Sequence, residues 1–96
     1  MVKTKFFNFY AILLFVYNNK IIIEKYNFTK LYRQFIKIKE HNNMAYPTFY
    51  NILLKLQGLD FIQTEKMGRN RRILKINEEK IKLFLDVNEE IYLFIC

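Results

Sequence analysis

Between residues 49 and 76 a helical stripe gives way to two stretches of strand length, and that change constrains the fold more than any other feature of the chain. Phe49, Ile52, Leu53 and Leu56 recur at helical spacing on one side, while Pro47, Thr48, Asn51 and Lys55 point to the other. Gly58-Leu59-Asp60 ends this helix, with Asp60 where a left-handed residue turns the chain. Two stretches of strand length follow, residues 61–66 and 71–76, joined by Met67-Gly68-Arg69-Asn70. A glycine inside a short polar connection predicts a β-hairpin.

The flanking segments are read in the same way. Residues 4–18 are apolar all round, which predicts a helix covered on one side by the core and on the other by a partner. Ile21-Ile22-Ile23 is β-branched and bounded by polar residues, so a brief strand is expected there. A second helix starts at Asn27 or Thr29. It has Phe28, Leu31, Tyr32, Phe35, Ile36 and Ile38 at helical spacing and a basic outer face of Lys30, Arg33, Lys37 and Lys39. After the polar break Glu40-His41-Asn42-Asn43 comes the helix described above. Asn77-Glu78-Glu79 supplies a cap and an acidic first turn for a last helix carrying Ile81, Phe84, Leu85, Ile91, Tyr92 and Ile95. That helix either runs to the C-terminus or breaks at Asn88-Glu89-Glu90. With no repeat and no linker, residues 1–96 form one domain.

With 96 residues, 52% of them hydrophobic and 18% aromatic, the chain is too apolar for disorder and holds more apolar side chain than a small monomer easily hides. A homodimer is therefore expected, with residues 4–18 and 77–96 making the contact. Charge is segregated: residues 1–76 carry fourteen Lys and Arg against four acids, whereas residues 77–96 carry two against five. The first part suits a polyanion and the second should be kept away from it. Three of the four arginines, Arg69, Arg71 and Arg72, fall within the hairpin.

The apolar run of 12 residues from Phe6 to Tyr17 is too short to span a bilayer, and no small-residue cleavage site follows it. No membrane association is expected. The lone cysteine, Cys96, excludes an intramolecular disulfide, so the chain is either reduced and cytosolic or cross-linked to a second chain through Cys96. The chain has no serine and a single histidine, His41, in the polar break. Such a composition supplies neither a nucleophile–base pair nor a metal-ligand set, so enzyme activity and cofactors are not expected.

The element order and the run YPTFYNILLKLQGLDFIQTEKMGRNRRILKINEEKIKLF, residues 46–84, resemble the winged helix-turn-helix of PadR and MarR-like transcriptional regulators. Those families show a Pro/Ala-Thr start, a Leu-x-x-Leu core, a Gly-Leu-Ile-like exit, a wing, and a Leu-Thr-x-x-Gly-like entry to the last helix. Size, residue bias and apolar ends are also similar to small winged-helix proteins of crenarchaeal viruses. The chain departs from the pattern where Asp60 replaces the usual Gly and Asn77-Glu78 replaces the usual Thr-x-x-Gly. The resemblance implies an α+β winged helix-turn-helix with a three-helix core, a β-hairpin wing and a C-terminal dimerisation helix.

The resemblance also implies sequence-specific binding of double-stranded DNA by a homodimeric regulator, in the cytoplasm or, for a viral protein, the host-cell cytoplasm. No small-molecule effector is evident. Thr48, Asn51 and Lys55 would face the major groove, flanked by Tyr46 and Tyr50, while Arg69, Asn70, Arg71 and Arg72 would form the wing. Strand alternation puts Arg69 and Arg71 on one side and Arg72 on the other, so one of the three is expected to serve the domain. Lys30 and Arg33 would clamp a phosphate or simply line a solvated basic face. The helix starting at Pro47 has no obvious side-chain cap, which leaves its positive end open to a phosphate. The competing expectation is a protein-interaction winged-helix module that binds no DNA.

Overall fold

A chain whose central helix leads into a short hairpin has to pack that hairpin against helices, and the computed structural model is such an α+β domain. It describes the backbone of residues 2–38 and 43–95 and the side chains of residues 8–38 and 43–87. His41 and Cys96 lie outside the described residues. In order, the elements are α1 (Val2–Asn18), α2 (Lys20–Ile23), α3 (Phe28–Phe35), α4 (Tyr46–Gly58), β1 (Ile62–Met67), β2 (Asn70–Ile76) and α5 (Glu78–Ile95). The two strands pair antiparallel as the only sheet among the described residues.

The core is aromatic at its centre. Phe35 of α3 meets Phe15 of α1 at 5.3 Å between ring centroids and Phe49 of α4 also at 5.3 Å. Phe28, Phe35, Phe49, Leu53 and Leu56 are fully enclosed. Each such side chain contributes about 1.5–3 kcal/mol by leaving water. From α1, Tyr10, Ile12, Leu13, Phe15 and Val16 are buried within the chain itself, and Leu14 is 37% exposed. On α5, Ile81 and Leu85 are buried and Phe84 packs edge-on against Phe9 and Phe61.

One expected element differs. Residues 21–23 form a single helical turn, not a strand. Asn19 Nδ2 donates to the Phe15 carbonyl at 2.8 Å, which turns the chain at the end of α1. One helical turn then buries Ile23 fully while Ile21 stays 82% exposed. β-Branching predisposes a run to a strand only where a neighbouring strand can pair with it. The extended residue beside the hairpin is instead Asn27, which bridges Arg72 and caps α3 by accepting from the Lys30 amide at 2.9 Å. That helix ends at Phe35, so Ile38, 38% exposed, falls outside its apolar stripe.

The turn after α4 follows from one residue. Asp60 has φ 66°, the Asp60 amide donates to the Gln57 carbonyl at 3.0 Å and the Phe61 amide to the Leu56 carbonyl at 3.0 Å. This is a Schellman motif with aspartate at the left-handed position, closed by burial of both Leu56 and Phe61. Gly68 (φ 60°) is the first of two residues joining the strands, as a type II′ turn requires. A bulge shifts the register between Gln63 and Thr64 and leaves Leu74 unopposed. Because of this extra residue, Ile73 and Ile76, three apart, are both buried. Asn77 then accepts from the Lys80 amide at 3.4 Å, and α5 continues unbroken through Asn88. Among the described residues no helix is long and apolar enough to cross a membrane.

Lys20 ties α2 to the start of α5 through an ion pair with Glu78 at 2.7 Å, both partly exposed. The hydrogen bond and charge of Glu78 raise the Lys20 pKa above its ordinary 10.5 against an opposing loss of hydration. A raised lysine stabilises the fold below its ordinary pKa, and that stabilisation is lost as pH rises through the raised value. A Glu78→Gln variant is therefore expected to melt slightly below wild type at pH 7, with the two melting temperatures converging above about pH 10.5. Phe35→Ala is expected to lower the unfolding free energy by about 3–5 kcal/mol in urea titrations, because it removes the ring shared by three helices.

Candidate nucleic-acid interface

With Phe49, Ile52, Leu53 and Leu56 turned inward, α4 presents Thr48, Asn51 and Lys55 to solvent. None of these three side chains has a hydrogen-bond or ionic partner among the described residues. Such a stripe can meet a polar ligand by exchanging bound water alone, because no internal bond has to break. Tyr46 and Tyr50 are different. Tyr46 packs on Tyr32 at 5.2 Å and Tyr50 on Phe28 at 5.4 Å, both edge-on, so these half-buried rings seat α4 on α3. Tyr32 Oη donates to the Met44 carbonyl at 2.6 Å and holds the chain just before α4. Ala45, at the cap position, is extended and offers no side-chain acceptor, so the start of the helix is uncapped.

The hairpin register sorts its charges by face. Lys66 lies opposite Arg71, and Glu65 lies opposite Arg72. Arg72 is the arginine committed to the domain: its backbone bridges Asn27 and its Nε lies 3.4 Å from Glu65 Oε2. That separation gives ionic attraction, but the buried Nε forms no hydrogen bond. Asn70 is also structural, since its Nδ2 donates to Thr29 Oγ1 at 3.1 Å and ties the hairpin tip to α3. Arg71 Nη1 donates to Thr64 Oγ1 at 3.1 Å, and the Thr64 hydroxyl in turn donates to Gln57 Oε1 of α4. Arg69, in the turn itself, is exposed and has no partner among the described residues.

The residue that sequence reading missed here is Lys66. It is exposed, has no ionic partner among the described residues, and shares a face with Arg71. Its signal was available in principle. A two-residue loop at Gly68-Arg69 sets the register, whereas a four-residue connection leaves it open. On α3, Lys30 and Arg33 are exposed one turn apart, with the Lys30 ammonium 5.9 Å from the centre of the Tyr26 ring. A recess of about 320 Å³ at the open end of the hairpin is lined by Asp60, Glu78 and Glu79 against one cation, Lys75, an acidic balance that disfavours a polyanion there. No family model, curated protein or solved structure matches the chain.

The Asn70–Thr29 bond gives the hairpin tip its anchor. Asn70→Ala is expected to speed amide hydrogen exchange in β1 and β2 by roughly 2- to 13-fold, the equivalent of about 0.5–1.5 kcal/mol, while exchange in α1 stays unchanged.

Proposed function

We propose that the chain is a winged helix-turn-helix protein that binds double-stranded DNA sequence-specifically and regulates transcription as a homodimer. One observation carries the reading. A helix whose polar stripe, Thr48, Asn51 and Lys55, has no partner among the described residues leads into a hairpin whose turn carries Arg69, likewise without a partner among them. The order of the helices around the hairpin is compatible with the winged fold of the PadR and MarR-like regulators that the sequence resembles.

In this reading α4 enters the major groove. Asn51 pairs with adenine through two hydrogen bonds, the Thr48 methyl meets a thymine methyl, and Lys55 reaches guanine or phosphate. Arg69 follows the backbone or the minor groove beyond, and Lys30 and Arg33 add phosphate contacts. The rings of Tyr46 and Tyr50 position the helix. The acidic surplus of residues 77–96 faces away from DNA. On α5, Leu83 (65% exposed) and Val87 (61% exposed) lie four residues apart on one face and are the apolar surface for the second copy.

Gel shifts on duplex selected from a random pool test this. Wild type should bind with a steep salt dependence, Arg69→Ala should reduce the slope by about one unit, and Asn51→Ala should relax preference at one position by about 1–3 kcal/mol. Sedimentation should give a dimer for wild type and a monomer for the Leu83→Glu, Val87→Glu double variant. Salt-independent or absent duplex binding by wild type would favour a protein-interaction module instead.

A further inference from the structure

The hairpin holds an arrangement that folding alone does not favour. Lys66 and Arg71 are direct cross-strand partners, so their Cβ atoms sit about 4.5–5.5 Å apart on one face and their like charges repel. The one acid of the hairpin, Glu65, lies on the other face, where it faces Arg72. On the Lys66 face the neighbour toward the core is Thr64, whose hydroxyl proton goes to Gln57 Oε1, leaving its oxygen to accept from Arg71 Nη1. Arg71 is thus held in place from behind by a chain of two hydrogen bonds, and Lys66 stands beside it. Two cations of which one is fixed, with no carboxylate on their face, make a concentrated positive field whose natural complement is an anion with several oxygens.

We propose that Lys66 and Arg71 form an oxyanion seat on this face of the hairpin, taking the phosphate chemistry of either a nucleic-acid phosphodiester or a free oligophosphate. Arg71 offers the planar donors, Lys66 the mobile charge, and Thr64 with Gln57 sets the position of Arg71. Thr64 and Gln57 are positioning residues. The seat rests on the DNA reading only for the phosphodiester as a source of phosphate.

The seat requires this repulsion, which is tested first, and the ligand responses then separate a seat from a merely solvated hairpin. At low ionic strength Lys66→Glu turns a like pair into an opposite pair and is expected to raise the melting temperature by about 2–4 °C, with a smaller rise for Lys66→Met. If both variants melt at or below wild type, the proposal falls. Sodium pyrophosphate, compared with sodium chloride at matched ionic strength, should raise the melting temperature of wild type and not of Lys66→Met if the seat takes free oligophosphates. If it takes a phosphodiester, duplex DNA and not pyrophosphate should raise the melting temperature, by less for Lys66→Met than for wild type, and Lys66→Met should lose about one unit of salt slope in duplex binding. No Lys66-dependent response to either ligand overturns the seat. Duplex binding by wild type with an unchanged slope in Lys66→Met, and no Lys66-dependent response to pyrophosphate, sinks the seat and leaves the DNA reading standing. Failure of wild type to bind any duplex sinks the DNA reading, and the pyrophosphate arm still decides the seat.

Discussion

The contact of Phe35 with both Phe15 and Phe49 joins α1, α3 and α4, and the helical core that carries the outward stripe of α4 and supports the hairpin depends on it. Edge-to-face and tilted ring packing is directional as well as apolar, so it fixes the rotation of each helix about its axis and not only the separation. Once Phe49 is turned into that cluster, the spacing of an α-helix leaves Thr48, Asn51 and Lys55 outward. Tyr32 adds a second restraint on the same helix. Its ring packs on Tyr46 and Phe49, and its hydroxyl binds the Met44 carbonyl, so the start of α4 is fixed without a side-chain cap.

The hairpin is attached to this helical core at three places. At its base, the left-handed Asp60 reverses the chain, and the Asn77 amide donates to the Phe61 carbonyl at 2.8 Å. Along one edge, Asn27 bridges Arg72, and Asn70 reaches Thr29. Across its inner face, Arg71, Thr64 and Gln57 connect β2 through β1 to the last turn of α4. Lys80 adds to the base by donating from its ammonium to the Leu59 carbonyl at 2.5 Å, a cation at the negative end of α4. A two-stranded sheet is barely stable alone, and these anchors are what let it hold charge at a set angle to the helix.

Charge is organised by the same geometry. The acidic start of α5 meets Lys20 of α2 at one end of the domain, whereas the hairpin tip carries cations and the exposed stripe of α4 is polar. Among the described residues only Glu65 tempers the tip, and the register gives it to Arg72. Lys66, Arg69 and Arg71 are left without a carboxylate among the described residues.

The helices α1, α3, α4 and α5 and the hairpin were legible in the sequence, as were the left-handed Asp60, the cap at Asn77 and the outward stripe of α4, whereas the start of α3 was left open between Asn27 and Thr29. The legible features depend on periodicity, φ preference and capping, which act within a few residues of one another. The fate of Ile21-Ile22-Ile23 was not legible, since a β-branched run becomes a strand only beside a partner, and here Asn27 occupies the hairpin edge. Whether the last helix breaks at Asn88 was also left open, and α5 runs through it. Within the candidate site, alternation separated Arg72 from Arg69 and Arg71. Only the closed register could show that Lys66 faces Arg71, that Glu65 faces Arg72, and that Asn70 is spent on Thr29. The sequence by itself determined where the hairpin and the longer helices lie, which residue turns the chain after α4 and where charge accumulates. Tertiary structure alone decided which charges meet, because pairing across strands and between elements depends on register and packing between segments far apart in the chain.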